Sequence, residues 1–457
     1  MSATITVLAP TAILGYGFPE ASFEAGLARM PDVIAVDAGS TDPGPYYLGS
    51  GKSFTDPDAV KRDLRYLIAA ALDRGIPLLI GSAGGAGARP HLLDCVALVE
   101  SVLSELGLKA RVAMIEADQD RSEVSTALDH GRIQPLGSVF ELTEALISDS
   151  THLVAQMGVE PVIEALEQGA EIVVAGRCYD PVVFAAVPIR VGFPEALALH
   201  MGKILECAAI AASPGSGSDC MLGVLDHTGF VLEPLNPTRQ CTVTSVAAHT
   251  LYEKSDPRSL PGPGGTLDLT DCQFEAAGDG RVRVSGTRLH RERSYTVKLE
   301  GAHLVGYRTL SIAGVRSPDF IASLDQILAE ARDKTFENFA HIDPADVAIL
   351  FRCYGRDGVM GALEPERHRV PHEVGLIIEV TAKSQSLADT ICAFVRSTLL
   401  HLGYPGRLST AGNLAFPYSP SDVPQGAVYE FSAYHLMAID DPLAPFPIRL
   451  MTLGAGA

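Results

Sequence analysis

Residues 78–107 read LLIGSAGGAGARPHLLDCVALVESVLSELG, and this stretch decides the fold class of the chain. Three aliphatic residues open it, a run of small residues follows at 81–88, and an amphipathic segment completes it. Apolar residues recur in that segment at helical spacing, at Leu92, Val96, Val99, Leu103 and Leu106. Gly107 comes next, at a position where glycine commonly ends a helix. The stretch predicts a buried strand, a glycine-rich loop and a helix.

The same alternation of strand and helix continues on both sides of this stretch. Short runs of β-branched residues without polar alternation are typical of strands buried on both faces. The predicted strands are Thr4–Ala9, Val33–Val36, Leu78–Ile80, Arg111–Ile115 and Glu171–Ala175. Helical spacing recurs at 60–72 and 162–166, and Gly75 and Gly169 follow those helices. This order predicts an α/β fold with a doubly wound, mostly parallel sheet in the N-terminal half.

The pattern changes after the serine- and glycine-rich stretch at 213–218. An α+β portion is predicted beyond it, with strands at Val282–Ser285, Tyr295–Leu299, His303–Ile312, Ala348–Phe351 and Val374–Val380 and helices around 320–328 and 387–402. The proline- and aromatic-rich tail after Gly403 predicts ordered coil. We therefore expect an α/β domain at 1–212 and an α+β domain at 213–457 that contributes to the site and to assembly.

The charge of the chain excludes several classes of partner. Among 457 residues there are 35 basic and 55 acidic side chains, which gives a net charge of −20. A nucleic-acid partner needs a basic surface, and an anionic membrane attracts basic segments, so neither is expected. The sequence shows no run of 18 apolar residues and no signal peptide, so we expect a cytoplasmic protein.

Motifs for bound cofactors are also missing from the sequence. None of the eight cysteines forms a CxxC pair, so we expect reduced, buried thiols rather than a zinc site. The small-residue run at 81–88 matches neither GxGxxG nor GxxxxGK[ST]. No nucleotide cofactor is therefore predicted.

Polar sequence follows the predicted strands at the edge where doubly wound sheets bind ligands. The first example is Asp37-Ala-Gly-Ser-Thr-Asp-Pro-Gly-Pro-Tyr-Tyr. Its carboxylates, Asp37 and Asp42, can hold a hard cation or act as acid and base. The alternative is an Asx turn built from aspartate, glycine and proline.

The second example is the loop Gly81–Gly87. Its small residues, among them Ser82, Gly84 and Gly85, let backbone N–H groups approach an anion or acyl group at a helix N-terminus. An anion or acyl-group cradle is favoured over a plain turn.

Two further strand ends carry ionisable residues. Glu116 follows the strand at 111–115, with a helix N-cap as the alternative role for this acidic stretch. Gly176-Arg-Cys-Tyr-Asp-Pro follows the strand at 171–175. There Arg177 can bind a carboxylate and Asp180 a metal or proton, or the two can pair with each other. Cys178 is a possible nucleophile, although a buried structural thiol is favoured.

Later segments add four candidates. Arg239 lies in the polar stretch Asn236-Pro-Thr-Arg-Gln-Cys-Thr. His303, Tyr307 and Arg308 lie close together along a predicted strand. A lone histidine is more often structural, so His303 is the less favoured catalytic candidate.

Taken together, these motifs resemble the acyclic terpene utilisation family AtuA from about Thr4 to Asp422. The stretches that carry the resemblance are Asp37–Tyr47, Gly81–Gly85, Gly176–Pro181, Asn236–Thr242, Gly306–Arg308 and Phe416–Asp422. The resemblance implies a role in degrading citronellol- and geraniol-type acids through acyl-CoA intermediates. It also implies a small ferredoxin-like domain or partner; no copy is evident after Asp422, so a separate small subunit is expected.

A hydratase- or dehydratase-type lyase acting on a carboxylic acid or acyl-CoA is the favoured function. Carboxylates and the histidine serve as its catalytic candidates: Asp37, Glu116, Asp180 and His303. Substrate binding is assigned to Ser82, Gly84, Gly85, Arg177, Arg239, Tyr307 and Arg308. Alternatives are a non-catalytic acyl-CoA-binding large subunit that works with a small partner, and a hydrolase of a thioester, lactone or amide using Ser82 or Cys178.

The predicted cofactor is Mg²⁺ or another divalent cation. Its predicted ligands are Asp37, Asp42, Glu116 and Asp180, because carboxylates at one sheet edge would otherwise repel each other. We also expect a homo-oligomer.

Overall fold

The computed structural model describes residues 3–251, 256–408 and 411–456. The chain forms two compact units. Unit 1 contains residues 1–303 and 431–457, and unit 2 contains residues 304–430. The predicted domain boundary at 213 falls inside unit 1. Within the described residues, no helix combines the length and apolarity needed to cross a bilayer.

Strands and helices alternate along most of the chain. The strands are β1 Ile5–Ala9, β2 Val33–Asp37, β3 Leu78–Gly81, β4 Lys109–Ile115, β5 Ile133–Pro135, β6 Ser150–Ala155, β7 Ile172–Ala175, β8 Met221–Leu225, β9 Gly229–Pro234, β10 Ser259–Gly262, β11 Gly265–Asp268, β12 Gln273–Ala276, β13 Val282–Ser285, β14 Arg288–Arg291, β15 Tyr295–Val315, β16 Val347–Tyr354, β17 Val374–Ala382, β18 Asp422–Ile439 and β19 Ile448–Gly454. The helices are α1 Glu20–Leu27, α2 Pro45–Ser50, α3 Pro57–Arg74, α4 Arg89–Glu105, α5 Arg121–Asp129, α6 Glu144–Asp149, α7 Glu160–Glu167, α8 Val182–Arg190, α9 Glu195–Leu205, α10 Val243–Leu251, α11 Pro318–Ala322, α12 Leu324–Asn338 and α13 Gln385–His401.

The large sheet of unit 1 has a parallel centre and antiparallel flanks. Its central strands β1, β2, β3, β7 and β4 lie side by side in that order and run parallel. Strands β8, β9, β13 and β12 extend it antiparallel beyond β1, and β19 extends it antiparallel beyond β4. The predicted α/β fold is confirmed, with antiparallel strands added at both edges.

Helices cover both faces of the parallel centre because its strands are apolar on both sides. Ile34 and Val36 pack into the core that contains α3 and α4, whereas Val33 and Ala35 pack into the core with α8 and α9. The predicted helix ends are confirmed: Gly75 follows α3 in the left-handed conformation, with φ 63°.

The prediction of coil throughout the tail is wrong. Residues 422–439 and 448–454 form β18 and β19, and β19 pairs along its whole length with β4. Pro424 and Gly426 weaken the local strand signal. The hydrogen-bond partner of β19 is more than 300 residues away in sequence, so no local pattern could reveal it.

Unit 2 is a small α+β unit. Residues 307–315 of β15 pair antiparallel with β17, which pairs on its other side with β16. The helices α12 and α13 share an apolar core with these strands. The single helix predicted around 320–328 is two helices, since α11 ends before Ser323 and α12 starts after it.

Removing a fully buried leucine from α3 tests this core. We expect Leu67→Ala to lower the free energy of unfolding of unit 1 by about 2–5 kcal/mol, because Leu67 is completely buried and the substitution leaves a cavity. Leu93→Ala is the control, because this α4 residue is 46% exposed, and its effect should stay within about 0.5 kcal/mol. Chemical denaturation measures both; equal effects would contradict the described packing.

Candidate active site

Three neighbouring strands of the parallel centre, β2, β3 and β7, end at one edge of the sheet. Asp37 closes β2 and pairs in register with Gly81 at the end of β3. A side-chain carbon built on Gly81 would lie 3.0 Å from both the Asp37 Oδ1 atom and the Cys178 Sγ atom. The missing side chain at Gly81 therefore leaves room for the residues that follow β2 and β7 to approach each other above β3.

Arg177 is buried at the centre of this region. The residue is 1% exposed, and its Nε donates to the Glu300 Oε2 atom at 2.7 Å. Its Nη1 donates to the Ser82 Oγ atom at 3.2 Å and to the Cys178 carbonyl at 3.3 Å. A buried cation of this kind needs such partners, because an unpaired charge in the interior is very costly.

Glu300 completes the ion pair from β15. The carboxylate is fully buried, and its Oε1 atom lies 2.8 Å from the Lys298 Nζ atom and accepts a hydrogen bond from Thr41 Oγ1 at 2.8 Å. Burial alone would raise the pKa of Glu300, but Arg177 and Lys298 outweigh burial and hold that pKa at about 2. Glu300 is therefore ionised over the physiological pH range.

A second charged group lies beside Arg177. The Asp180 Oδ1 atom is 3.6 Å from Arg177 Nη1, and its Oδ2 atom is 3.0 Å from the Lys203 Nζ atom. Lys203 also donates to Glu206. Burial opposes ionisation of Asp180, yet Lys203 and Arg177 hold its pKa well below the usual range. Burial and the neighbouring Asp180 raise the pKa of Glu206 well above its usual value.

Helix α9 can bring Lys203 and Glu206 here because Gly202 has no side chain. A carbon built on Gly202 would lie 2.6 Å from the Pro181 carbonyl oxygen. The close approach places the end of α9 against the loop that carries Asp180.

Asp37 is the least satisfied group of the site. It is 5% exposed, and its Oδ2 atom accepts a hydrogen bond from the Gly39 N–H at 3.3 Å. Within the described parts of the chain, its Oδ1 atom is buried and has no hydrogen-bond partner. Burial and the charge of Asp180 raise the pKa of Asp37 to about 7. A buried carboxylate oxygen without a donor is costly, and such groups are typical of functional sites.

Asp37, Asp180 and Glu206 converge. One carboxylate oxygen from each lies within 4.8 Å of the others. The sequence motifs predicted Asp37 and Asp180 but missed Glu206, Lys203, Glu300 and Lys298. The available signal was the pair of charged residues Lys203 and Glu206 near the end of the mostly apolar segment at 196–206.

Among the described residues, the cluster does not include the other predicted carboxylates, Asp42 and Glu116. Asp42 is exposed and accepts a hydrogen bond from Ser40 Oγ at 2.7 Å. Glu116 is half-buried, 3.6 Å from the Arg89 Nη1 atom. Asp120 is the N-cap of α5, which agrees with the alternative reading of that acidic stretch.

The loop 81–87 is tightly folded against Arg177. Ser82 has a positive φ of 41°, and a carbon built on Gly87 would lie 2.1 Å from the Arg177 backbone nitrogen. The N–H groups of Ala83, Gly85 and Gly87 donate to carbonyls of the chain. At the N-terminus of α4, the Asp118 carboxylate accepts the Arg89 N–H at 2.6 Å, so a side chain already supplies the anion there.

The remaining predicted residues do not belong to the carboxylate cluster. Arg239 pairs with Asp219, with Nε and Oδ2 2.6 Å apart. His303 is half-buried at a register shift where β15 pairs with β6. Tyr307 and Arg308 belong to unit 2, where Arg308 lies 2.9 Å from the Glu379 Oε1 atom. Burial raises the pKa of the Cys178 thiol to about 12, which favours a structural thiol.

A cavity of about 560 Å³ lies beside the loops that follow β2 and β3. Ala38, which directly follows Asp37, and Gly84, which lies two residues after Ser82, form part of its wall. Much of the rest is aliphatic, and the charged residues of the lining are Lys52 and Asp94. Its size and mostly aliphatic lining suit a hydrocarbon chain.

Comparison with known proteins identifies one related family. The family described as acyclic terpene utilisation family protein AtuA matches residues 55–430 of the chain. A search of curated proteins and a search of solved structures each gave no match.

Removing the charge of Glu300 tests the buried network. We expect Glu300→Gln to lower the free energy of unfolding by about 3–5 kcal/mol at neutral pH, because Arg177 and Lys298 both lose their closest carboxylate and Arg177 keeps the longer, 3.6 Å contact with Asp180. The same change in Glu105, whose carboxylate pairs with Arg65 on the surface, should have a much smaller effect. Chemical denaturation measures both variants.

The pH dependence gives a further check of the same variant. The pKa of Glu300 is lowered from 4.5 to about 2, so its stabilisation is fully present above about pH 4.5 and is lost as the pH falls toward 2. The stability difference between wild type and Glu300→Gln should shrink across that window. A difference that stays constant down to about pH 2 would contradict the described ion pairs.

Proposed function

The chain belongs to the acyclic terpene utilisation family AtuA, and we propose that it is a hydratase- or dehydratase-type lyase acting on an acyl-CoA or related carboxylic acid. Family membership gives it a role in acyclic terpene utilisation. The reaction is the proposal, and one observation carries it: the buried Asp37 carboxylate keeps an oxygen without a hydrogen-bond donor at the ligand-binding edge of the sheet.

Hydration of an enoyl thioester adds a proton to the carbon next to the carbonyl and a hydroxyl group to the neighbouring carbon. Dehydration reverses both transfers. A group that moves this proton must have an oxygen free to accept it, within reach of the substrate. The Asp37 Oδ1 atom meets the first requirement, whereas Asp180 and Glu300 are each held by cations.

The cations of the site are better suited to hold the carboxylates than to bind substrate. Arg177 directs its Nε to Glu300 and its Nη1 to Ser82. Lys203 is divided between Asp180 and Glu206. We therefore assign Arg177 and Lys203 as positioning residues, which fix the orientation of the carboxylates around Asp37.

The aliphatic cavity supports a substrate with a hydrocarbon chain. Its wall includes Ala38, the residue directly after Asp37, and its apolar lining belongs to the core that contains α3 and α4. The Asp37 carboxylate faces the other side of the sheet, where α9 lies, so a chain bound in the cavity must cross the sheet edge at Ala38 to bring its carbonyl group to Asp37. The volume of about 560 Å³ accommodates a branched acyl chain of the acyclic terpenoid type.

Replacement of Asp37 tests the proposed reaction. The assay uses geranoyl-CoA as the substrate, and mass spectrometry detects the product to which water has been added. Asp37→Asn should lower kcat by about 100-fold or more, because the amide cannot take the proton. Asp63→Asn is the matched control: Asp63 is a buried carboxylate of α3 that binds the Gly15 and Gly17 N–H groups. Unchanged turnover in folded Asp37→Asn and Asp180→Asn would overturn the lyase assignment.

Filling the cavity tests the assignment of the acyl chain. Ala97 lines the cavity and is exposed on α4, so Ala97→Phe can narrow it without disturbing the core. We expect KM for geranoyl-CoA to rise about tenfold, with little change for crotonyl-CoA, whose chain is short. Ala329→Phe on the exposed surface of α12 is the control. Equal KM changes for both substrates would contradict binding of the acyl chain in this cavity.

A further inference from the structure

The carboxylates of Asp37, Asp180 and Glu206 come from three separate segments: the end of β2, the loop after β7 and the end of α9. One oxygen of each lies within 4.8 Å of the others. We propose that these three residues bind one divalent cation of the Mg²⁺ or Mn²⁺ class. This ligand set differs from the sequence-predicted one, since it includes Glu206 and leaves out Asp42 and Glu116.

The second observation is the buried, unpaired oxygen of Asp37. Asp37 is 95% buried, and among the described residues nothing donates a hydrogen bond to its Oδ1 atom. Gly81 packs against that atom, and a side-chain carbon there would lie only 3.0 Å away, so the glycine is what permits this close approach. Buried carboxylate oxygens are normally hydrogen-bonded, ion-paired or bound to a metal. Among the described residues this oxygen has neither a hydrogen bond nor an ion pair, and a hard cation would supply the missing partner.

The charges of the cluster agree with a divalent ion. Three carboxylates face one ammonium group, Lys203, which contacts two of them. Two further cations, Arg177 and Lys298, pair with Glu300, and Arg177 also lies 3.6 Å from Asp180. If Asp37, Asp180, Glu206 and Glu300 are all ionised, these four carboxylates and the three basic groups carry a net charge of −1, so the region favours an added cation. Oxygen-only ligands favour magnesium or manganese over zinc or copper.

Lys203 sets the affinity in this arrangement. Its ammonium group interacts with the Asp180 and Glu206 oxygens that the cation also needs. The two cations therefore compete, and removing the ammonium charge should strengthen metal binding. If the cluster were only a structural set of ion pairs, removing the ammonium charge would not create or strengthen metal binding.

The inference deepens the proposed function, because a cation at this position would polarise the carbonyl oxygen of an acyl substrate. With the cation on the Oδ1 atom of Asp37, the proton of the substrate would be taken by the Oδ2 atom, which accepts one hydrogen bond, from the Gly39 N–H at 3.3 Å. Binding is measured without turnover, so the two proposals can fail separately. If the protein binds no metal but its activity depends on Asp37, the lyase proposal stands and the cation-site proposal fails.

The experiment is a titration of the full-length, chelator-treated protein with MnCl₂, with free Mn²⁺ followed by electron paramagnetic resonance. One site per chain is expected. Asp37→Asn and Glu206→Gln should weaken binding at least about tenfold, and Lys203→Met should strengthen it by a similar factor. Asp42→Asn is the control, because Asp42 lies on the same loop as Asp37 but is exposed and bonded to Ser40. It should bind as wild type does.

Two results would overturn the site. One is the absence of Mn²⁺ binding up to about 1 mM in wild type and Lys203→Met alike. The other is binding that Asp37→Asn leaves unchanged. Circular dichroism shows whether each variant is folded; if Glu206→Gln is not, the opposite shifts expected for Asp37→Asn and Lys203→Met still decide the question.

Discussion

The buried ion pair between Arg177 and Glu300 is the interaction on which the site depends. Its members are 123 residues apart in sequence and come from the loop after β7 and from β15. Arg177 then reaches Ser82 and Asp180, while Glu300 is held by Lys298 and Thr41. Buried ion pairs add little to stability compared with apolar packing, but breaking one is costly. The pair is best understood as a device that fixes where the neighbouring side chains point.

The glycines near this pair make the arrangement possible. Gly87 allows the loop after β3 to pass directly over the Arg177 backbone, and Gly202 lets α9 approach Pro181. Gly81 leaves space between Asp37 and Cys178. A side chain at any of these three positions would collide with backbone atoms or with the side-chain atoms of Asp37 and Cys178. Much of the glycine content of the strand-end loops therefore serves close packing around charged groups, in addition to turn formation.

The sequence was sufficient to predict the parallel centre of the sheet, because buried strands and amphipathic helices leave local patterns. It also indicated Asp37 and Asp180, since both follow strands at the ligand-binding edge. It could not indicate Glu300, which lies in a strand without any motif. For Lys203 it offered only a charged residue near the end of a mostly apolar helix, and both residues reach the site through the tertiary fold. Asp42 and Glu116 had the same strand-end signal as Asp37, yet their side chains interact with Ser40 and Arg89. Strand β19 was missed for a related reason, since its partner β4 lies far away along the chain.

The overall charge of −20 gives a misleading picture of the site. Arg177, Lys203 and Lys298 bring positive charge into a buried region, and Asp37 is the carboxylate there that keeps an unpaired oxygen. The most direct test is proton exchange at the carbon next to the carbonyl of citronelloyl-CoA in D₂O, followed by NMR. We expect wild type to introduce deuterium well above the protein-free rate and Asp37→Asn to match that background. Exchange by Asp37→Asn at the wild-type rate, or none by wild type, would contradict the role given to Asp37.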